Sequence, residues 1–388
     1  MIKLIKHGLR RYCGIVDGSI RAYGIFSFSS FKWIIILPIQ IFIAHVCLLL
    51  DKVFFPKYKK LQLKEPIFII GHPRSGTTLL HRLLAEFDNF VTFQYWETRF
   101  PALITRVIVK PIVNILVKLK KDVVVAKKTG HETRLTSVEE EDLLLLPLLD
   151  TVFIAFLSPL AYSKKVEKEG FDMLHDYQEH TSETMEFLKN CFKRQAYFKK
   201  GNRILAKIPF SCTRIQALHK AFPDAKYIYL VRNPLEAIPS CHSLVKKVQE
   251  QELIKPGMSE QWYDKWYKER NIDRSVFSRK FYEINISFYN HFYDSLEQDK
   301  ILKEKVLEVN YNELTNDLEN TIKKILIFAG INLSTETLIK IQSEQEKQKK
   351  YKRPHSVYSF ADLNLSEDQI KSDLAPIFTR ISEREKII

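Results

Sequence analysis

The chain has 388 residues, 45% of them apolar, and carries 60 Lys and Arg against 46 Asp and Glu, for a formal net charge of +14. This length and apolar content exclude a disordered chain and fit one large α/β domain. Five Cys, an odd number with no Cys-x-x-Cys pair, exclude a disulfide framework and a cysteine zinc site. The positive surplus draws anions such as nucleic acid, acidic lipid or a phosphorylated small molecule, and its placement along the chain matters more than its total.

Residues 1–60 read as a basic and apolar N-terminal segment, and residues 61–388 as the folded domain. Trp33 to Leu50 is an uncharged run of 18 residues bracketed by Lys32 and Asp51. A spanning helix needs about 20 mostly apolar residues, and Pro38, Gln40 and His45 interrupt this one. It starts too late for an ordinary signal peptide, and no small-residue cleavage site follows. Lys3, Lys6, Arg10, Arg11, Arg21 and Lys32 precede it, and Lys52, Lys57, Lys59, Lys60 and Lys64 follow. The balanced flanks give no orientation. A span, a membrane-surface helix and a buried core helix all stay open. A second apolar stretch, Ala102 to Leu119, carries Arg106, Lys110 and Lys118, and reads as an amphipathic helix.

After Pro66 short apolar strands alternate with helices. Strands are expected at 67–70, 204–208, 227–231 and 306–309, and helices at 75–87, 172–195, 211–222, 259–298, 312–329 and 335–350. That alternation predicts a three-layer, P-loop-like α/β fold with a central, mostly parallel sheet flanked by helices, plus the N-terminal apolar helix. Ligands in such folds bind at the carboxyl ends of the strands. The informative residues should follow positions 70, 208 and 231.

Gly71-His72-Pro73-Arg74-Ser75-Gly76-Thr77-Thr78 keeps the G-x-x-x-x-G spacing of a phosphate loop. Backbone N–H groups at the start of the following helix would face an anion. Where a Walker A motif has Lys-Ser/Thr this loop has Thr77-Thr78, so Arg74 is the candidate for the missing charge. A P-loop kinase or nucleotide hydrolase, the competing reading, needs that Lys on the transferred phosphate. At a second strand end, Tyr229-Leu230-Val231-Arg232-Asn233-Pro234 is followed by Ser240, eight residues after Arg232.

Pro73-Arg74-Ser75-Gly76-Thr77-Thr78 resembles the 5′-phosphosulfate loop of sulfotransferases, of the bacterial type and the tyrosylprotein type. The resemblance runs from about residue 66 to about 380. It implies that Arg74, Ser75, Gly76, Thr77 and Thr78 hold the 5′ end of 3′-phosphoadenosine 5′-phosphosulfate (PAPS). It also implies that Arg232 and Ser240 hold the 3′-phosphate, with PAPS as co-substrate and no metal. Arg suits such a site through bidentate charged bonds, and Ser adds a hydroxyl donor.

In tyrosylprotein sulfotransferases the Glu of a Glu-Thr-Arg segment is the catalytic base. Trp96-Glu97-Thr98-Arg99 lies in a similar place, which makes Glu97 the expected base. An alternative is a surface pair of Glu97 with Arg99. Lys207, in Lys207-Ile208-Pro209-Phe210, matches a Lys-x-Pro-Phe segment whose Lys lies at the leaving phosphate. A Lys snorkelling from a strand end is the bland alternative. The His that cytosolic sulfotransferases use is missing, since Pro209 stands two residues beyond Lys207. His72 lies in the loop, His81 reads as structural, and His131 is a rival base. The run Glu139-Glu140-Glu141-Asp142 reads as a solvated helix face. Asn310-Tyr311-Asn312-Glu313-Leu314 resembles the family's Tyr-x-x-Leu segment, and Lys349 to Arg353 is a basic cluster or an exposed charge run. The acceptor is expected to offer a hydroxyl or amine on a small molecule, lipid or glycan, with no nucleic-acid partner, and the location to be either cytoplasmic or membrane-associated through residues 33–50. The aromatic residues of 262–293 would suit an apolar or sugar acceptor but read more simply as a buried helix stripe.

Overall fold

The computed structural model describes residues 2–87, 90–125, 133–169, 177–331, 335–350 and 359–385. Among these residues six strands occur in chain order: β1 (Ile67–Gly71), β2 (Val123–Val125), β3 (Thr133–Arg134), β4 (Leu205–Lys207), β5 (Lys226–Val231) and β6 (Val306–Asn310). β2 and β3 pair antiparallel as a small separate unit. The other four form one sheet in the order β4-β1-β5-β6, with every neighbouring pair parallel.

β1 is buried along its whole length, as a central parallel strand covered on both faces must be. Its side chains alternate between two cores. Phe68 and Ile70 join the core formed by helices Tyr177–Lys199, Ile215–Ala221 and Arg274–Gln298. Ile67 and Ile69 join the core formed by helices Thr77–Leu84 and Leu318–Ala329. β5 divides in the same way, with Tyr227, Tyr229 and Val231 on the first side and Ile228 and Leu230 on the second. The period of two places one helical layer on each face and makes the three-layer architecture. Removing a side chain of the size of Phe68 from water contributes about 2–3 kcal/mol.

The expected strands are found within one residue of their predicted ends, while the helix boundaries shift for local reasons. The helix after β1 starts at Thr77 instead of Ser75, because Gly76 takes a left-handed conformation (φ 90°) that stops the helix from reaching further back. The stretch expected as one helix over 259–298 is two, Glu260–Glu269 and Arg274–Gln298. Asn271 turns the chain at φ 51°, and Asp273 caps the second helix by accepting from the Ser275 N–H. No Gly or Pro marks that break, so the helical periodicity runs across it. The aromatic stripe of the second helix lies in the core, where Phe292 stacks on Tyr229 at 3.5 Å between ring centroids.

Ahead of the sheet, helix Ile2–Tyr23 leads into a rod over Phe28–Phe54. Only 6% of the most apolar window of this rod is buried, which sets aside the core-helix alternative. Helix Leu103–Lys118 carries Arg106 on its inward side, fully buried, and exposes Val107, Ile108, Ile112 and Ile115.

Candidate active site

Four strand ends meet at one place. β1 ends at Gly71 with φ 137°, where a side chain would collide with the Leu230 carbonyl of the neighbouring β5. Gly76 closes the loop, and a Cβ there would lie 3.1 Å from both Tyr311 and Leu314. Those two residues follow the end of β6, so the Tyr-x-x-Leu segment forms the wall against which the loop folds. Between the glycines Arg74 adopts φ 75°, a left-handed backbone that costs a non-Gly residue on the order of 1 kcal/mol. Two contacts hold it there. Its carbonyl accepts from Arg232 Nη1 at 2.8 Å, and its own Nε donates to Ser240 Oγ at 3.3 Å.

Arg74, Arg232 and Ser240, read from two separate motifs, thus form one cluster. The Arg232 guanidinium lies over the Tyr311 ring at 4.1 Å and is paired with the exposed Glu236 at 2.7 Å. Helix Pro234–Val248 carries Ser240 back toward the loop, capped by the Asn233 side chain accepting from the Leu235 N–H. Thr77 and Thr78 open the helix after the loop, where the first N–H groups have no partner within the helix. Ser75 Oγ is buried and, among the described residues, has no hydrogen-bond partner.

Lys207 ends β4 and is fully buried. Its Nζ donates to Thr78 Oγ1 at 2.9 Å and pairs with Glu140 at 2.7 Å. It therefore turns into the site rather than snorkelling to solvent. The acidic run that pairs with it is no solvated helix face. Glu139, Glu141 and Asp142 are buried; Glu139 pairs with Arg82 at 2.9 Å, while Glu141 and Asp142 clamp the end of β4 and the segment that follows it. Glu141 accepts the Lys207 N–H at 2.6 Å, and Asp142 accepts the Phe210 N–H at 3.2 Å and the Ser211 hydroxyl at 3.3 Å. Charge runs face water only when no buried donors need them, and here the backbone after β4 supplies such donors. Glu140 is the exception in the run, with about a fifth of its side chain (22%) exposed. The sequence carried no sign that this one carboxylate of four would meet Lys207.

Burial raises the Glu141 carboxyl well above its usual range and pushes Asp142 up to about 7. An unfolded Asp titrates near 4, so over that interval the folded protein holds a proton that the unfolded chain releases. The corresponding stability is present below about pH 4 and is lost as pH rises toward 7. Asp142→Asn is expected to shrink the loss of Tm between about pH 5 and about pH 8. A loss as large as that of the wild type would show that another group carries this dependence.

Glu97 sits on the short helix Tyr95–Arg99 and is fully buried. Its Oε2 accepts from the Gln94 N–H and from Gln195 Nε2, both at 2.8 Å, and its Oε1 pairs with Lys199 at 2.8 Å. Its partner is thus Lys199 and not Arg99, which is exposed. Arg106 completes this network by donating to the Glu97 carbonyl at 3.1 Å. His72 is buried in the loop, against Asn285 at 2.7 Å and stacked on Tyr289, and burial lowers it to about 4. His81 is buried beside Glu141 at 3.6 Å. His131 and residues 351–353 lie outside the described residues.

A parallel sheet with a lysine-free phosphate loop, and with Arg, Ser and Lys converging from three other segments, defines a class of group-transfer protein. The sequence profile of the sulfotransferase family matches residues 66–335, and the chain belongs to that family. Among curated proteins, omega-hydroxy-beta-dihydromenaquinone-9 sulfotransferase Stf3 of Mycobacterium bovis is 25% identical over 270 residues, 69% of this chain and 63% of that protein. Sulfotransferase 2A1 of Macaca fascicularis is 27% identical over 157 residues, 40% of this chain and 50% of that protein. The matches thus span less than two thirds of the length of these relatives. Among solved structures, sulfotransferase STF9 of Mycobacterium avium superposes with a TM-score of 0.70 at 16% identity, covering 97% of this chain and 95% of that one. STF1 of Mycobacterium tuberculosis gives 0.69 at 16% identity, covering 96% and 92%. These likenesses show the fold.

Proposed function

We propose that this protein is a PAPS-dependent sulfotransferase that moves the sulfuryl group of PAPS onto a hydroxyl of a lipid acceptor. The observation that carries the reading is the convergence of Arg74, Arg232, Ser240, Thr78 and Lys207 from separate segments onto one set of strand ends. These residues fit a nucleotide phosphorylated at both 3′ and 5′. The buried Ser75 hydroxyl and the cradle at Gly76 suit the 5′ end. Arg232 and Ser240 suit the 3′-phosphate, with Glu236 yielding its exposed pair, which is worth little, to a phosphate. When bound, PAPS supplies the activated sulfuryl group.

The chain's own groups then divide the work. Lys207, hydrogen-bonded to Thr78, would neutralise the charge that develops on the phosphate oxygen left with the electron pair when the bridging S–O bond breaks. Glu140, partly exposed and 2.7 Å from Lys207, takes the proton of the acceptor hydroxyl as its oxygen bonds to sulfur. Glu97 was the expected base. With its carboxylate committed to Gln94, Gln195 and Lys199, we assign it instead the task of fixing the Tyr95–Arg99 helix. The lipid acceptor draws support from the hydroxylated menaquinone named for Stf3 of M. bovis. A thermal-shift series tests the donor assignment: 3′-phosphoadenosine 5′-phosphate (PAP) without Mg²⁺ is expected to raise Tm. Stabilisation by ATP with Mg²⁺ and none by PAP would replace the reading with a P-loop kinase or hydrolase.

A further inference from the structure

We infer that the rod Phe28–Phe54 and helix Leu103–Lys118 together form one docking surface that inserts into an anionic membrane leaflet without crossing it. At 27 residues the rod is long enough to span, about 40 Å at 1.5 Å per residue. Yet both of its ends are fastened to the same folded body. Near the start, the Tyr12 hydroxyl donates to the Ile34 carbonyl at 2.6 Å and the Ser30 hydroxyl to the Ser19 carbonyl at 3.1 Å. Helix Ile2–Tyr23, which supplies these contacts, is locked to the catalytic unit by Arg11 on the buried Asp150 at 3.0 Å. Asp150 also holds Arg214 at 3.0 Å. Gly18 of the same helix meets the Pro159 carbonyl so closely that no side chain fits. At the far end, the buried Asp51 accepts from the Leu103 and Ile104 N–H groups at 2.8 and 3.0 Å and pairs with Arg194 at 2.7 Å. A span would put these two ends on opposite sides of a bilayer, which one folded body cannot follow.

The Asp51 contacts do a second thing. They cap helix Leu103–Lys118 and set it beside the rod. The rod exposes Ile39, Phe42, Ile43, Leu49 and Val53, each at least half exposed, and the second helix adds Ile108, Ile112 and Ile115. Eight large, half-exposed apolar side chains on two adjacent helices are the kind of surface that marks a membrane or partner contact. The lipid partner is chosen by charge. Lys32 and Lys52 in the end turns of the rod, and Lys57, Lys59 and Lys60 just beyond it, are exposed, as are Lys110, Lys118, Lys120 and Lys121. Asp51, which is buried, is the only acidic residue between positions 28 and 64, and none occurs between 103 and 121. An apolar face rimmed by cations suits anionic headgroups over acyl chains.

The test uses the full chain and vesicles of phosphatidylcholine with or without phosphatidylglycerol, and it needs neither donor nor acceptor. The wild type is expected to co-sediment with the anionic vesicles. The double variant Phe42→Asp, Ile112→Asp is expected to bind about tenfold less or weaker, with an unchanged Tm because both positions are exposed. Equal binding by that variant, or equal binding to vesicles lacking phosphatidylglycerol, would overturn the proposal. So would a lipid-free dimer in sedimentation velocity that the variant abolishes. Native Cys13 and a cysteine introduced as Lys57→Cys flank the rod. In cell membranes both are expected to react with an impermeant maleimide from the same side, and labelling from opposite sides would mean a span.

Discussion

Arg232→Ala is expected to weaken PAP binding by about 100-fold or more, read by calorimetry. Two charge-assisted hydrogen bonds to a phosphate, at about 1.5–3 kcal/mol each, give at least that factor. The substitution also removes the donor that steadies the Arg74 carbonyl and the cation over Tyr311. The left-handed turn at Arg74 would therefore relax, and the 5′ side of the site would loosen along with the 3′ side. Arg232→Lys is expected to recover only part of the loss, because an ammonium cannot serve Arg74 and a phosphate with one planar fork. Ser240→Ala, which deletes a single hydroxyl, should cost about tenfold. Unchanged PAP affinity in a folded Arg232→Ala protein would remove the 3′-phosphate assignment.

Turnover is expected to fall by a factor on the order of 100 to 10,000 in Glu140→Gln, while PAP affinity stays close to that of the wild type. The measurement is transfer of labelled sulfate from PAPS into a lipid extract, alongside PAP calorimetry on the same preparation. The amide keeps the size of the side chain and loses its ability to take a proton. Glu140→Asp should restore part of the rate, since it keeps the carboxylate and moves it back by one methylene. Glu97→Gln is the informative companion. With its carboxylate in a buried network, it should lower Tm more than turnover per folded molecule. If Glu140→Gln turned over normally and Glu97→Gln lost activity at full stability, the base would be Glu97.

The two placements of acidic residues show where reading by pattern stops. Glu97 lies in a segment that resembles a catalytic one, but the resemblance says nothing of Gln195 and Lys199, which come from a helix about 100 residues further on and enclose it. Glu140 lies in a run of like charges, which by composition alone belongs in water. It is drawn to the site because Lys207 and the backbone after β4 need acceptors when β4 docks beside β1.

The sequence by itself determined the strands, the layer order and the glycine-bounded loop after the first strand. Those depend on local chemistry: apolar runs, glycines that permit a reversed φ, and an Arg at a strand end. It also placed the fourth strand and the Tyr311 segment that follows it. The tertiary structure alone decided which groups meet. Parallel pairing in the order β4-β1-β5-β6 brings Lys207, Arg74, Arg232 and Tyr311 to one edge from positions up to 237 residues apart. It likewise decided that an apolar segment able to span a bilayer is tied at both ends to one body. Charge and hydropathy along a chain report what each residue prefers, whereas partners across the fold fix which preference is met.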